Sequence, residues 1–329
     1  MLGLRVQPGE VCQAYESSCG RNSTSVTLNQ LRTFLAVAES GSVRAAAAEL
    51  VVTQAAVSAS LGALQKSLAV QLLCPDGRGL RLTKAGAEYA RYVRKILGLL
   101  DEAQRAAVSA ADPDRSELRI AAVTTAAEQI VPGLLSGFRQ LYPQIGVVLE
   151  AGNRDRVGTL LDHHQVDLVL GGRPEPGWDV QVYAVRAHQL VVVAAPDLAA
   201  GAAGSDLLPW LSRQTWLLRE PGSGTRASTE ALLAELGLSP LTLTVGSNGA
   251  IRESASVGLG VTLVSRDAAA AELGSGRLVE LPVPGTPLHR DWYLVAHPGT
   301  LPPAAGRLVA HMLADGGFQA APGPPPGFS

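Results

Sequence analysis

A chain of 329 residues is long enough for two or three domains with cores of their own, and a formal net charge of −2 excludes a globally basic nucleic-acid binder, so any surface for DNA must be local. Cys12, Cys19 and Cys74 have neither metal-ligand spacing nor the even count of a disulfide framework, which fits a reducing compartment. No apolar run reaches the ~18 residues of a membrane helix and no secretory pattern opens the chain, so a cytoplasmic protein with no membrane partner is expected.

Residues 1–26 are polar and patternless and read as a disordered leader, or as the product of a start codon placed too early. Leu28, Leu31, Phe34, Leu35 and Ala38 predict an amphipathic helix ending at Ser40–Gly41. The stretch Ser42–Leu68 then reads as two short helices. Val43, Ala46, Ala47 and Leu50 share one face, Val51–Val52 break the period, and Ala56, Val57, Leu61, Leu64 and Leu68 resume it. Ser42 and Thr53 stand where hydroxyls can accept from unpaired backbone N–H groups. This is a helix-turn-helix pattern, although an alanine-rich hairpin inside a larger domain would show the same period. As a DNA reader, the second helix would begin at Thr53, offer Gln54, Ser58 and Ser60 to base edges, and set Ala55 and Ala59 against thymine methyls.

The flanks favour the DNA reader. Val70–Leu82, VQLLCPDGRGLRL, is two apolar stretches around Pro-Asp-Gly-Arg-Gly, which is hairpin chemistry. Three helices closed by a hairpin make a winged helix, with Arg78 and Arg81 on the wing for phosphates or a minor groove. Between Leu28 and Leu97 nine cations face four anions, a local surplus of five, and Arg44 and Lys66 are among them.

Thr83 can cap a long helix from Lys84 to about Ala107. Its apolar positions Tyr89, Val93, Ile96, Leu100, Ala103 and Ala107 alternate in steps of four and three, the spacing of a dimer seam; packing on the protein's own body is the alternative. Asp112–Glu117, DPDRSE, reads as a hinge. Beyond it, strand-like runs (Leu118–Val123, Val147–Ala151, Asp167–Leu170, Gln189–Ala194, Thr215–Leu218, Leu241–Val245, Gly260–Val264, Trp292–Ala296) alternate with helical ones (Ala126–Leu141, Asp155–His163, Thr225–Leu236, Ala250–Gly258, Ala268–Leu273, Pro303–Leu313). That alternation predicts open, mainly parallel sheets with helices on both faces, followed by a loose tail at 316–329.

With these pieces in order the chain resembles the LysR-type transcriptional regulators over nearly its whole length. The resemblance rests on Leu31 to Val43 (LRTFLAVAESGSV), Thr53 to Ser58 (TQAAVS) and Leu80 to Gly86 (LRLTKAG). It implies a mainly α, winged helix-turn-helix domain at 27–83, a dimerising linker helix at 84–111 and a hinge at 112–117. An α/β, two-lobed effector domain like the type 2 periplasmic binding proteins would occupy 118–315. Lobe I would take about 118–186 and 288–315, and lobe II about 187–287. The segment Arg219 to Arg226, REPGSGTR, is similar to one in the branch that includes regulators of Calvin-cycle operons and sulfur assimilation, which suggests a ligand style more than a target operon. Ala59, Gln65 and Leu73 depart from the family's usual Arg or other long polar residue, Glu and Phe.

In an open α/β sheet a ligand sits beyond the carboxyl ends of strands, where helix N-termini point. Four such places carry a hydroxyl or amide beside free N–H groups: Thr124–Thr125, Gly152–Asn153, Glu220–Thr225 with Ser223 and Gly224, and Ser247–Asn248. Arg219 and Arg226 add positive charge, so a small organic anion, with phosphorylation an open option, is the expected effector. Six scattered histidines give no ligand spacing, and neither a metal nor a cofactor is expected. The expected partners are double-stranded operator DNA and a second copy of the chain, with a tetramer and RNA polymerase as open options. Two alternatives remain. One is a dehydratase-like enzyme on the same two-lobed fold, for which Glu128 and Glu220 are the nearby carboxylates; the other is a solute-binding protein, which the missing export signal disfavours.

Overall fold

The computed structural model describes residues 26–77, 79–112, 116–202 and 206–321. The expected leader, but for Val26, the wing-tip Arg78 and the tail beyond Ala321 lie outside the described residues. The chain divides into two compact units, one ending at Leu97 and one beginning at Gly98.

The first unit is set by its caps. Thr27 and Gln30 form a reciprocal capping box on the helix Leu28–Ser40, which stops at Gly41 in a left-handed conformation, φ +63°. Ser42 then accepts from the Ala45 N–H (3.3 Å) to start the helix Val43–Glu49, and Thr53 accepts from the Ala56 N–H (3.2 Å) to start Gln54–Leu68. The chain bends by 108° between these two helices, as a helix-turn-helix requires. Phe34, Val37, Ala46, Val57, Leu61, Leu64 and Leu72 fill one core, each large side chain contributing about 2 kcal/mol of apolar burial.

The wing is β1 (Leu73–Asp76) and β2 (Gly79–Leu82), antiparallel from Leu73↔Leu82 to Asp76↔Gly79. Two contacts fix it to the helices. The Gln65 side-chain oxygen accepts from the N–H groups of Leu72 (2.8 Å) and Leu73 (3.2 Å), and the Leu80 N–H donates to the Gly41 carbonyl (2.8 Å). A Cβ on Gly79 would press to 2.9 Å from that same carbonyl, so the approach needs glycine. Thr83 caps the helix Lys84–Ala111 by accepting from the Gly86 N–H (2.9 Å).

That long helix corrects two expectations. Ala90 and Val93 are fully buried in the winged-helix core and Tyr89 packs on Phe34 with ring centroids 5.4 Å apart, so the first unit runs past 83 to Leu97. Tyr89 and Val93 are therefore spent inside their own unit. Among the apolar positions left exposed, which also include Ala107 and Val108, Tyr92, Ile96, Leu99, Ala103 and Ala106 again fall in steps of four and three but in a different register. The helix ends at Ala111, where the expected linker of 84–111 ends, and the next strand begins at Glu117, the last residue of the expected hinge.

In the second unit an eight-stranded sheet has the order β10-β6-β11-β5-β3-β4, with β9 and β12 also paired to β6. These strands are β3 (Glu117–Val123), β4 (Gly146–Gly152), β5 (Leu168–Gly171), β6 (Gln181–Ala194), β9 (Thr262–Ser265), β10 (Val279–Glu280), β11 (Leu288–Ala296) and β12 (Gln319–Ala320). A separate parallel pair is β7 (Trp216–Leu218) and β8 (Thr242–Thr244). The sheet is mixed, not mainly parallel. β3 runs parallel to β4 and β5, but the spine is the antiparallel ribbon of β6 and β11, from Leu288↔Leu190 to Ala296↔Gln181. Its physical basis is the period of two along β6. Leu190, Val192 and Ala194 enter a core with Trp210 and Trp216, while Val191 and Val193 enter another with Leu217 and Ile251. At the other end of the ribbon Ala184 and Leu294 join Leu118, Phe138, Leu168 and Leu308 in a third core.

The single helix expected at Ala126–Leu141 is two, Thr124–Gln129 and Val131–Leu141; Pro132 in the first turn of the second has no N–H to continue the first. The tail begins later than 316, because Phe318 is buried in the third core and Gln319–Ala320 pair with β6. Among the described residues no single helix is long and apolar enough to cross a membrane.

Candidate nucleic-acid face and effector pocket

Along Gln54–Leu68 the core takes Val57, Leu61 and Leu64, and the exposed line opposite is Ala55, Ala59, Gly62 and Lys66, with Gln54 and Ser58 exposed beside it. These side chains are small, so this face offers little bulk against an approaching surface. Ser60 departs from expectation: it is half-buried, lying about 60° round the helix from Val57 and not on the outward line. Thr53 spends its hydroxyl on the cap. Arg44, Lys66 and Arg81 are exposed on the two helices of the helix-turn-helix and on β2, and Arg78 lies outside the described residues.

The expected effector residues divide into a cluster and its supports. Arg219, directly after β7, is 4% exposed. Its Nε and Nη2 donate to the two carboxylate oxygens of Glu220 (2.7 and 2.9 Å), and its Nη1 donates to the Asn248 side-chain oxygen. Asn248 opens the helix Asn248–Ser256, and its Nδ2 donates to the Thr125 hydroxyl (2.9 Å) and lies 3.5 Å from a Glu128 oxygen. One buried amide thus joins the end of β7 to the start of the helix after β3. Thr125, Arg219, Thr225 and Asn248 line one small pocket with a free volume of about 10 Å³, room for about one water molecule. Burial opposes ionisation of Glu220, but the hydrogen bond and charge of Arg219 outweigh it and hold the carboxyl below its usual range.

Other expected residues hold the frame. The Thr124 hydroxyl donates to the Gly152 carbonyl (3.0 Å), Asn153 caps the helix Arg154–Asp162, and Ser247 caps Asn248–Ser256. Asn153 also donates to the Pro221 carbonyl (3.4 Å), and at Gly222, φ +83°, a Cβ would collide with Asn153 and Asp155. Gly224 starts a helix in open space and Ser223, though buried, makes no side-chain cap bond. Arg226 differs from expectation most. It donates to Glu230 (2.8 Å), to the Arg219 carbonyl (3.0 Å) and to Thr244 (3.3 Å), bracing the loop and its helix instead of lining the pocket.

Two polar residues of the pocket escaped the sequence reading, beside the apolar Ile251, Leu263, Val264 and Ala268. Arg252 lines it and pairs with Glu272 (3.0 Å), and Ser265 at the end of β9 lines it with a buried hydroxyl that has no hydrogen-bond partner. Both were within reach of the pattern. Arg252 is four residues after Asn248 on one helix face, and Ser265 sits at the carboxyl end of a strand.

Comparison with known proteins agrees with this geometry. Residues 28–87 match the model of the bacterial regulatory helix-turn-helix protein, lysR family, and residues 111–316 match the LysR substrate binding domain. The RuBisCO operon transcriptional regulator of Allochromatium vinosum is 36% identical over 292 residues, 88% of this chain and 96% of that protein. The solved regulatory domain of Synechocystis PCC6803 CcmR in complex with 2-PG is 28% identical with a TM-score of 0.54, covering 60% of this chain and 95% of that one. Full-length CbnR complexed with its target DNA shares the fold, with a TM-score of 0.63 at 23% identity over 87% of this chain and 98% of that one. A winged helix-turn-helix followed by an effector-binding domain, matched at both ends by the same family, makes this chain a member of the LysR family of DNA-binding transcriptional regulators.

Proposed function

We propose that the effector of this regulator is a small phosphorylated organic acid, bound at the pocket of Thr125, Arg219, Thr225 and Asn248, and that the genes it controls serve carbon fixation. The observation that carries the reading is the buried Arg219 guanidinium held in a pocket with Thr125, Thr225, Asn248 and Ser265. Two relatives support it: the CcmR regulatory domain was solved with 2-PG, and the Allochromatium protein is named for the RuBisCO operon. Operator DNA would meet Gln54, Ser58, Ala55 and Ala59 at base edges and Arg44, Lys66, Arg78 and Arg81 at phosphates. Two copies would join through Tyr92, Ile96, Leu99, Ala103 and Ala106, and the protein would work in the cytoplasm where chromosomal DNA lies. An enzymatic role has no ready base in this pocket, since Glu220 is tied to Arg219 and Glu128 faces Asn248.

Calorimetric titration of the full-length chain with 2-phosphoglycolate, followed by footprinting on the DNA upstream of its own gene, tests the proposal. Binding in the micromolar to millimolar range with a changed footprint is expected. Saturable binding that leaves the footprint unaltered, or no binding at millimolar ligand, overturns it.

A further inference from the structure

Every cationic group that lines the pocket is already engaged by a carboxylate. Arg219 holds Glu220 through two charge-assisted bonds, and Arg252 holds Glu272. An anion entering beside Arg219 therefore meets a guanidinium whose fork is full, in a pair of which solvent reaches mainly one member: the Glu220 side chain is 28% exposed and that of Arg219 4%. Asn248 takes the remaining nitrogen of Arg219 and is itself buried, so the guanidinium is fixed in place, whereas Glu220 is the solvent-facing member of the pair.

We infer that Glu220 is an internal competitor for the effector and sets its charge class: a ligand binds by displacing the Glu220 carboxylate from Arg219, and a phosphoryl group displaces it where a lone carboxylate does not. The inference rests on the proposed pocket. Glu220 follows Arg219 directly in the chain, so its effective concentration at the guanidinium far exceeds that of any free metabolite. A monocarboxylate offers the same two oxygens as Glu220 and gains nothing in the exchange. A phosphoryl dianion brings more charge and a third oxygen, which Thr125 or Ser265 can meet, since both line the same pocket and the Ser265 hydroxyl is buried without a partner. The other charged groups around the loop do not fill this role: Arg226 is engaged by Glu230, and Asp155 flanks Gly222.

The test uses the full-length chain with Glu220→Gln, Glu220→Ser and Arg219→Gln, each first checked for an unchanged melting profile, titrated with 2-phosphoglycolate and with glycolate. In the parent, 2-phosphoglycolate binds and glycolate does not. Glu220→Gln or Glu220→Ser binds 2-phosphoglycolate about tenfold more tightly and gains measurable affinity for glycolate, because the competitor's charge is gone. Unchanged or weaker binding of both ligands by the folded Glu220 variants overturns the competitor. Failure of the parent to bind 2-phosphoglycolate, or an Arg219→Gln variant that binds as the parent does, instead overturns the pocket assignment on which it rests.

Discussion

At Val51 the backbone takes φ +56° with the side chain 88% exposed, a left-handed conformation that a β-branched residue adopts only under strain. The turn between the two helices demands it, and no packing offsets the cost. Val51→Asn, which tolerates this region, should raise the stability of the winged-helix unit by about 1 kcal/mol, seen as a higher midpoint of its transition in calorimetry of the full chain. A lower midpoint would show that Val51 is not strained. A second residue-scale expectation concerns His188, stacked on Trp292 with centroids 4.2 Å apart and 9% exposed. Burial pushes its pKa down from 6.5 to about 4, against the opposing pull of Asp267 and Asp291. As pH falls from 6.5 towards 4 the unfolded chain takes up a proton that the folded chain refuses. Stability present above 6.5 is therefore lost through that window, by about 3 kcal/mol at most. His188→Phe keeps the stack and removes this share of the acid loss; urea midpoints at pH 7 and pH 4.5 that shift equally in both proteins would refute it. Neither feature was readable from residue types alone. Val51 was seen as a break in period, but the sign of φ at a turn follows from how the helices dock. Arg219 and Arg226 looked equivalent in REPGSGTR, and only packing sends one into the pocket and the other onto the frame.

Among the elements, the helix Lys84–Ala111 shows best what periodicity can and cannot decide. Its apolar residues satisfy a heptad in two registers, one through Tyr89, Val93, Ile96 and Leu100 and one through Tyr92, Ile96, Leu99 and Ala103. The winged-helix core consumes Tyr89 and Val93 of the first register, with Leu97 beside them, and Tyr92, Ile96, Leu99 and Ala103 of the second stay exposed, which is why the proposed seam follows the second. Leu99→Asp should leave the melting of the single chain nearly unchanged yet convert the proposed dimer to monomer in sedimentation, because Leu99 is 52% exposed. Val93→Ala should instead cost about 2 kcal/mol of winged-helix stability and leave association intact. The reverse pattern would restore the first register. The same limit explains the sheet. Alternation of strands and helices revealed the α/β class, and helical period with hairpin chemistry revealed the winged helix, whose caps at Ser42, Thr53 and Thr83 all form as their hydroxyls suggested. It did not reveal that β6 extends back to Gln181 and pairs antiparallel with β11, since Gln181–Gln189 mixes charged, polar and apolar residues without a clean period.

For the whole molecule, DNA affinity has to be assembled from few charges on each copy, because the outward line of Gln54–Leu68 carries small residues and Lys66 alone as a cation. Hydroxyls, an amide and methyl contacts can choose among base pairs, but they supply little of the salt-dependent attraction that comes from neutralised phosphates. In the proposed arrangement that attraction comes from Arg44, Lys66 and the wing, doubled by a second copy on a two-fold site. Each phosphate contact contributes about 0.9 to the slope of log affinity against log salt. Arg44→Ala or Arg81→Ala should therefore lower the slope by about 2 for a dimer on its operator, weakening operator and random DNA alike. Gln54→Ala should leave the slope in place and narrow the gap between operator and mismatched site by about 1–3 kcal/mol per half-site. Fluorescence anisotropy over a salt series separates the two behaviours. If Gln54→Ala flattened the slope as Arg44→Ala does, the amide would be holding backbone and not bases, and sequence choice would have to come from the shape of the DNA that the paired winged helices accept.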